Sequence, residues 1–160
     1  MIEIYPLPAH HIKINKLKSL LAIVENSVKG GDNYLFRNLY VEEDGKETDI
    51  LKNGQNSYAA FVSWILLALE LIEHPHATVD GAEKDLIASG WQEIQELKAG
   101  AVLRWERQEG HQHIGFYIGN DEAVSNSSKG TGFPWRHHVT YNNTRKVEKI
   151  YWHPALEDLN

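Results

Sequence analysis

Nine histidines and no cysteine bound the reactive chemistry open to this chain. Disulfides, thiolate metal sites and thiol nucleophiles are excluded, which leaves imidazoles, carboxylates and hydroxyls. His111 and His113 alternate across Gln112, so an extended segment puts both on one face; with His137 or His138 they could form a three-histidine zinc set. His74 and His76 flank Pro75 but have no carboxylate at a fixed offset, and the adjacent His10 and His11 point apart on an extended segment. Glu42-Glu43-Asp44-Gly45 lacks the ligand spacing of a calcium loop and reads as a solvated turn. No metal ligands are assigned on this pattern and no cofactor is required; the histidine cluster stands as one reading of function.

The other reactive feature is a helix start. Asn53-Gly54-Gln55-Asn56-Ser57 is a polar turn that empties into Tyr58-Ala-Ala-Phe-Val-Ser-Trp-Ile-Leu-Leu-Ala-Leu-Glu-Leu-Ile72. Asn56 or Ser57 is a suitable N-cap, which places Tyr58 in the first turn, at the positive end of the helix dipole. A helix apolar on every side is the buried centre of a domain. Pro75 forbids its continuation, so it is expected to end near Glu73.

The elements around it follow from spacing. Ile14, Leu17, Leu20, Leu21 and Val24 recur at helical steps over 12–29, with Gly30-Gly31 as the stop. Leu35 to Val41 and Thr48 to Leu51 read as strands of a hairpin turned at Asp44-Gly45. A second helix runs from Gly81 to Ser89, capped by Thr78 or Asp80 and closed by Gly90. Beyond Trp91–Ile94 the pattern alternates: strands are expected at Ala101–Glu106, His113–Ile118, Ala123–Ser127, from Pro134 to Tyr141, and at Val147–Trp152. Helices first and an antiparallel sheet afterwards is the α+β order. The 160 residues suit one domain, divided into an N-terminal helix and hairpin (1–52), a central helix region (53–95) and the sheet (96–153).

Composition narrows the function classes. With 42% hydrophobic and 24% charged residues the chain is ordinary for a globular protein, and a net charge of −6 with a pI near 5.8 argues against nucleic acid and acidic membrane surfaces as partners. No apolar run is long enough for a membrane span. The first residues, Met1-Ile-Glu-Ile-Tyr-Pro6, carry no signal-peptide pattern, so a cytoplasmic location is expected unless a leader precedes them.

Three blocks carry a resemblance. Ser57-Tyr58-Ala59-Ala60-Phe61-Val62 resembles the D-C-S-G-L/F-V signature of the NlpC/P60 cysteine peptidases and the related CHAP amidases. His113-Ile-Gly-Phe-Tyr-Ile-Gly-Asn120 resembles their H-V-G-I-Y-x-G-N strand, and Leu97-Lys-Ala-Gly-Ala-Val102 resembles their L-K-P-G-D-L lead-in. Together the blocks cover about 53–128, in family order and at family-like spacing. The resemblance implies a papain-like fold, with the nucleophile position at Tyr58, the general-base position at His113 and the orienting position twelve residues later, at Ser125. Hairpin geometry offers Asn126 instead: a two-residue turn at Asn120-Asp121 would pair Gly115 with Asn126, and only one of the two neighbours can share the face of His113.

The departure from the family pattern decides the expected function, because its cysteine is replaced by Tyr58. A phenol with a pKa near 10 is a poor nucleophile toward amides, and Ser57 points about 100° around the helix from the attack direction. Tyr58 is expected to donate a hydrogen bond to His113 and close the cleft. Asn56 and Ser57 in the turn, Trp135, and one of His137 and His138, with His138 assigned, are expected to line it. The five tryptophans are otherwise core and rim. The expected function is a catalytically degenerate NlpC/P60-like domain that binds a peptide, a cell-wall fragment or a protein partner. An active or formerly active peptidoglycan amidohydrolase, with its Cys replaced or Ser57 in use, is the alternative, and a metal-binding protein built on the histidines is the second.

Overall fold

The computed structural model describes residues 13–127 and 130–157. His10, His11 and the leading prolines lie outside them. The architecture is α+β: three helices and a two-stranded hairpin accompany a six-stranded antiparallel sheet in the order β3-β8-β4-β5-β6-β7.

Helix α1 (Lys16–Asn26) starts where Asn15 accepts from the Lys18 N–H at 2.9 Å, and it buries Leu20 and Val24. It stops before Gly30, because the Ser27 hydroxyl bonds the Val24 carbonyl at 2.6 Å. Strands β1 (Tyr40–Glu43) and β2 (Lys46–Asp49) turn at Asp44-Gly45, whose φ values of 52° and 76° give the double left-handed turn expected of that pair. The expected strand at 35–39 does not form; Asn33 and Asp49 side chains take the Leu35 and Leu39 N–H groups instead.

Helix α2 (Tyr58–Ala68) is the buried centre, with Ala59, Ala60, Phe61, Val62 and Leu66 fully enclosed. It ends five residues short of the position expected from Pro75. Glu70 adopts φ 57°, the Leu71 N–H bonds the Leu66 carbonyl and the Glu70 N–H bonds that of Leu67, which is the Schellman arrangement with a glutamate where glycine is usual. Helix α3 (Val79–Ala88) is capped by Thr78 and closes on Gly90 at φ 100°. Strands β3 (Gln92–Ile94), β4 (Val102–Gln108), β5 (His111–Gly119), β6 (Glu122–Asn126), β7 (Pro134–His138) and β8 (Val147–Trp152) build the sheet. One apolar cluster joins α1, α2 and α3 to one face of it, and a smaller one around Trp105 and Leu103 fills beneath the 139–147 loop. Among the described residues no helix is long and apolar enough to cross a membrane.

The loop that delivers α2 is pinned twice. The Asp49 carboxylate accepts from Asn38 and from the N–H groups of Leu39, Leu51 and Asn53. Burial alone would raise its pKa; these donors outweigh it and hold the group below the usual carboxylate range. Further on, Gly54 crosses the backbone of Gly132 so closely that a Cβ on it would stand 2.1 Å from the Gly132 carbonyl oxygen.

Candidate functional site

The site forms where the N-terminus of α2 meets the middle of the sheet. Tyr58, the first residue of α2, packs its ring against His113 of β5, with centroids 5.4 Å apart and planes at 56°. The expected hydrogen bond between them is not made: the phenol is in ring contact with the imidazole, and no hydrogen bond engages its hydroxyl among the described residues. Burial raises the Tyr58 pKa above its ordinary value, against the opposing pull of Arg145 and Arg107.

His113 is 3% exposed, and its Nε2 lies 2.9 Å from the Ser125 hydroxyl. Of the two neighbours, it is Ser125 that bonds His113, and Asn126 does not. The reason lies in the β5–β6 hairpin. Gly119 pairs with Glu122 around Asn120-Asp121, as a two-residue turn requires, but the register then shifts, so that Tyr117 meets Ala123 and Phe116 meets Val124. The extra residue, Ile118, is a β-bulge that changes the parity of every later pair. Gly115 thus faces Ser125, and only glycine fits there: a Cβ would lie 2.7 Å from that of Ser125 and 3.1 Å from the Trp105 ring. Asn126 faces the other way and clamps the loop crossing, donating to the carbonyls of Gly54 at 2.8 Å and Gly132 at 3.2 Å.

Ser125 is the hub of a buried network. Its oxygen also lies 2.8 Å from His137 Nε2 and 3.1 Å from the Tyr141 hydroxyl. The proton positions follow from counting. His137 Nδ1 faces the His138 carbonyl at 2.8 Å, so it carries hydrogen and donates. The neutral ring then offers a lone pair at Nε2, which takes the single Ser125 proton. His113 Nε2–H and the Tyr141 O–H must therefore donate to the Ser125 oxygen. His113 is left with an unprotonated Nδ1 that makes no hydrogen bond to any described residue.

Both imidazoles are neutral at physiological pH. Burial, reinforced by the charges of Arg145 and His137, holds His113 down to about 3. Burial also brings His137 to about 4, opposed by its bond to the His138 carbonyl. Tyr141, pushed up to about 12 by burial, stacks on His137 at 4.0 Å between centroids. Ser125→Ala would orphan three buried polar groups; we expect a loss of about 2–3 kcal/mol in urea unfolding, whereas Ser127→Ala, outside the network, should stay within about 0.5 kcal/mol of the parent.

Of the other expected lining residues, Asn56 borders a cavity of about 240 Å³ together with Tyr58, Gln108, His113 and Arg145. Trp135, 42% exposed, borders a neighbouring cavity of about 200 Å³ that shares Gln108, His113 and Arg145 with the first. Ser57 is fully buried, its hydroxyl bonded to nothing in the described structure, so it does not face His113 as a nucleophile would. His138 borders neither of these two cavities, its Nδ1 accepting from the Thr140 N–H, and neither does His137, which is buried and bonded to Ser125. His111 is exposed on the hairpin, and no group of three or more His, Asp or Glu among the described residues could hold a metal ion. His76 is bonded instead to the Asp85 carboxylate at 2.6 Å, between α2 and α3.

Gln108, Tyr141 and Arg145 border the cleft without having been anticipated. Tyr141 and Arg145 come from the loop between β7 and β8, which turns through three consecutive left-handed residues, Tyr141, Asn142 and Asn143. The Asn-Asn pair signals that turn; nothing in the spacing signals its return over His113. Arg145 is fixed by donation from Nε to the Glu106 carbonyl at 3.0 Å and from Nη2 to the His111 carbonyl at 2.8 Å. Neither models of known protein families nor curated protein sequences give a match to this chain.

Proposed function

We propose that this chain is a catalytically degenerate domain of the NlpC/P60 type, papain-like in plan, whose cleft binds a peptide or cell-wall-derived peptide and does not cut it. The observation that carries the reading is the environment of His113. Its Nε2–H is committed to an orienting hydroxyl, its Nδ1 is unengaged, and beside it, at the start of the buried helix, stands the residue that occupies the nucleophile position. A base held in one tautomer by a third group is the arrangement that nucleophilic catalysis uses. Here the attacking group is absent. The phenol is harder to ionise than in water, and an imidazole that protonates only near 3 has no anionic partner to sustain its charge.

Tyr58→Cys tests this directly. A thiol at a helix N-terminus beside an imidazole acidifies and becomes nucleophilic. The expected result is an inert parent and a variant that hydrolyses a peptidoglycan stem peptide at least about 100-fold above background, the lower range of general-base assistance. That activity should disappear in Tyr58→Cys combined with His113→Ala. A folded Tyr58→Cys protein without hydrolysis, or a parent whose own hydrolysis depends on His113, would overturn the reading.

A further inference from the structure

Arg145 is a guanidinium built into the cleft without an ion-pair partner among the described residues. It is half-buried, and its two bonds to backbone carbonyls fix its plane while occupying two of five N–H groups. It borders both cavities, one lined by Tyr58 and the other by Trp135. The Tyr58 hydroxyl, a second unengaged donor, feels the charges of Arg145 and Arg107 together. In a protein of net charge −6, the cleft thus holds a fixed cation with N–H groups left over, beside a phenol free to donate. Two carboxylates lie nearby. Glu106 accepts from the Lys146 N–H and Glu109 borders the first cavity; both act on Arg145 through their charge, so the pocket suits a ligand with one negative charge and not several.

We infer that Arg145 and Tyr58 form a carboxylate-binding pocket that receives the free C-terminal carboxylate of a peptide, with its preceding side chain against Trp135. A planar carboxylate matches the fork of a held guanidinium. Tyr58 lines one cavity and Trp135 and Tyr141 the other, and polar side chains, Gln55, Asn56 and Gln108 among them, complete the walls. A short peptide end suits that lining, with its carboxylate at Arg145, its side chain against Trp135 and its amides within reach of the polar walls. The inference rests on the reading of this cleft as a peptide site and names the group by which the peptide is held.

The test is titration of the protein, followed by NMR and calorimetry, with acetyl-Ala-Ala, its C-terminal amide, and sodium acetate. The free acid should bind at least about tenfold more tightly than the amide, a difference of one hydrogen-bonded charge. Arg145→Gln should abolish that preference, and Tyr58→Phe, which keeps the ring, should reduce it several-fold. Arg145 also ties down the β4–β5 hairpin, so Arg145→Gln is judged only if its melting transition stays cooperative; the acid-to-amide ratio in the parent and in Tyr58→Phe decides the matter without it. Equal binding of acid and amide would overturn the inference and leave the peptide cleft standing. Arg145-dependent binding of acetate with no binding of either peptide would keep the anion pocket and sink the peptide reading. No response to any of the three would overturn the inference.

Discussion

Lowering the pH from 7.5 to 4.5 should cost this protein about 5 kcal/mol of stability, most of it through two side chains. His113 and His137 titrate near 6.5 when unfolded, but in the fold they remain neutral to about 3 and about 4. Between those limits the unfolded chain binds more protons than the native one, so acid favours unfolding. The stability they contribute is complete above the unfolded value and drains away as pH falls toward the folded ones. Each group costs about 1.4 kcal/mol per pH unit in that window, so two units and two histidines give the total. Asp85 and Asp49, both held below their ordinary range, add to the loss only at lower pH. Urea midpoints across this range provide the measurement, and the two imidazole resonances should not titrate above pH 5. A flat profile down to pH 5 would show that these rings are wetter than the network implies.

The second large effect is Gly54→Ala, expected to destabilise by about 3 kcal/mol or more through collision and strain together. The added methyl would sit 2.1 Å from the Gly132 carbonyl oxygen, backbone against backbone, at a φ of 88° that disfavours a side chain. Neither strand of the crossing can yield without losing the Asn126 clamp, which holds both carbonyls. Gly45→Ala is the matched control. Its φ of 76° is similar, but nothing lies within 4 Å, so strain alone remains and about 1 kcal/mol is expected. Equal losses at the two positions in urea unfolding would mean that the crossing opens easily. A loosened crossing would also free the start of α2, so Gly54→Ala should weaken the Tyr58–His113 contact before the core melts.

The α+β order, the buried helix and six of the eight strands could be read from periodicity because each depends on its own residues. What could not be read depended on residues elsewhere. The choice between Ser125 and Asn126 turned on Ile118, a bulge in a strand whose alternation looks regular; the turn at Asn120-Asp121 was anticipated correctly and still gave the wrong parity. The α2 terminus was misplaced because Glu70 accepts a left-handed conformation that favours glycine. Arg145 and Tyr141 escaped notice because a loop carries them, and a loop's destination is set by what it lands on. His138 and His137 are neighbours with separate partners, Thr140 for one and Ser125 for the other, and the spacing alone does not assign them.

One oxygen with one hydrogen arbitrates among two imidazoles and a phenol, and this makes residues on strands that never touch into a single chemical locus. If His137 were replaced by a group that donates instead of accepting, Ser125 would turn its proton toward His113. That ring could then keep only a proton on Nδ1, hiding the lone pair it now presents. The basicity of the cleft is thus inherited from β7, two strands away from the residue that displays it.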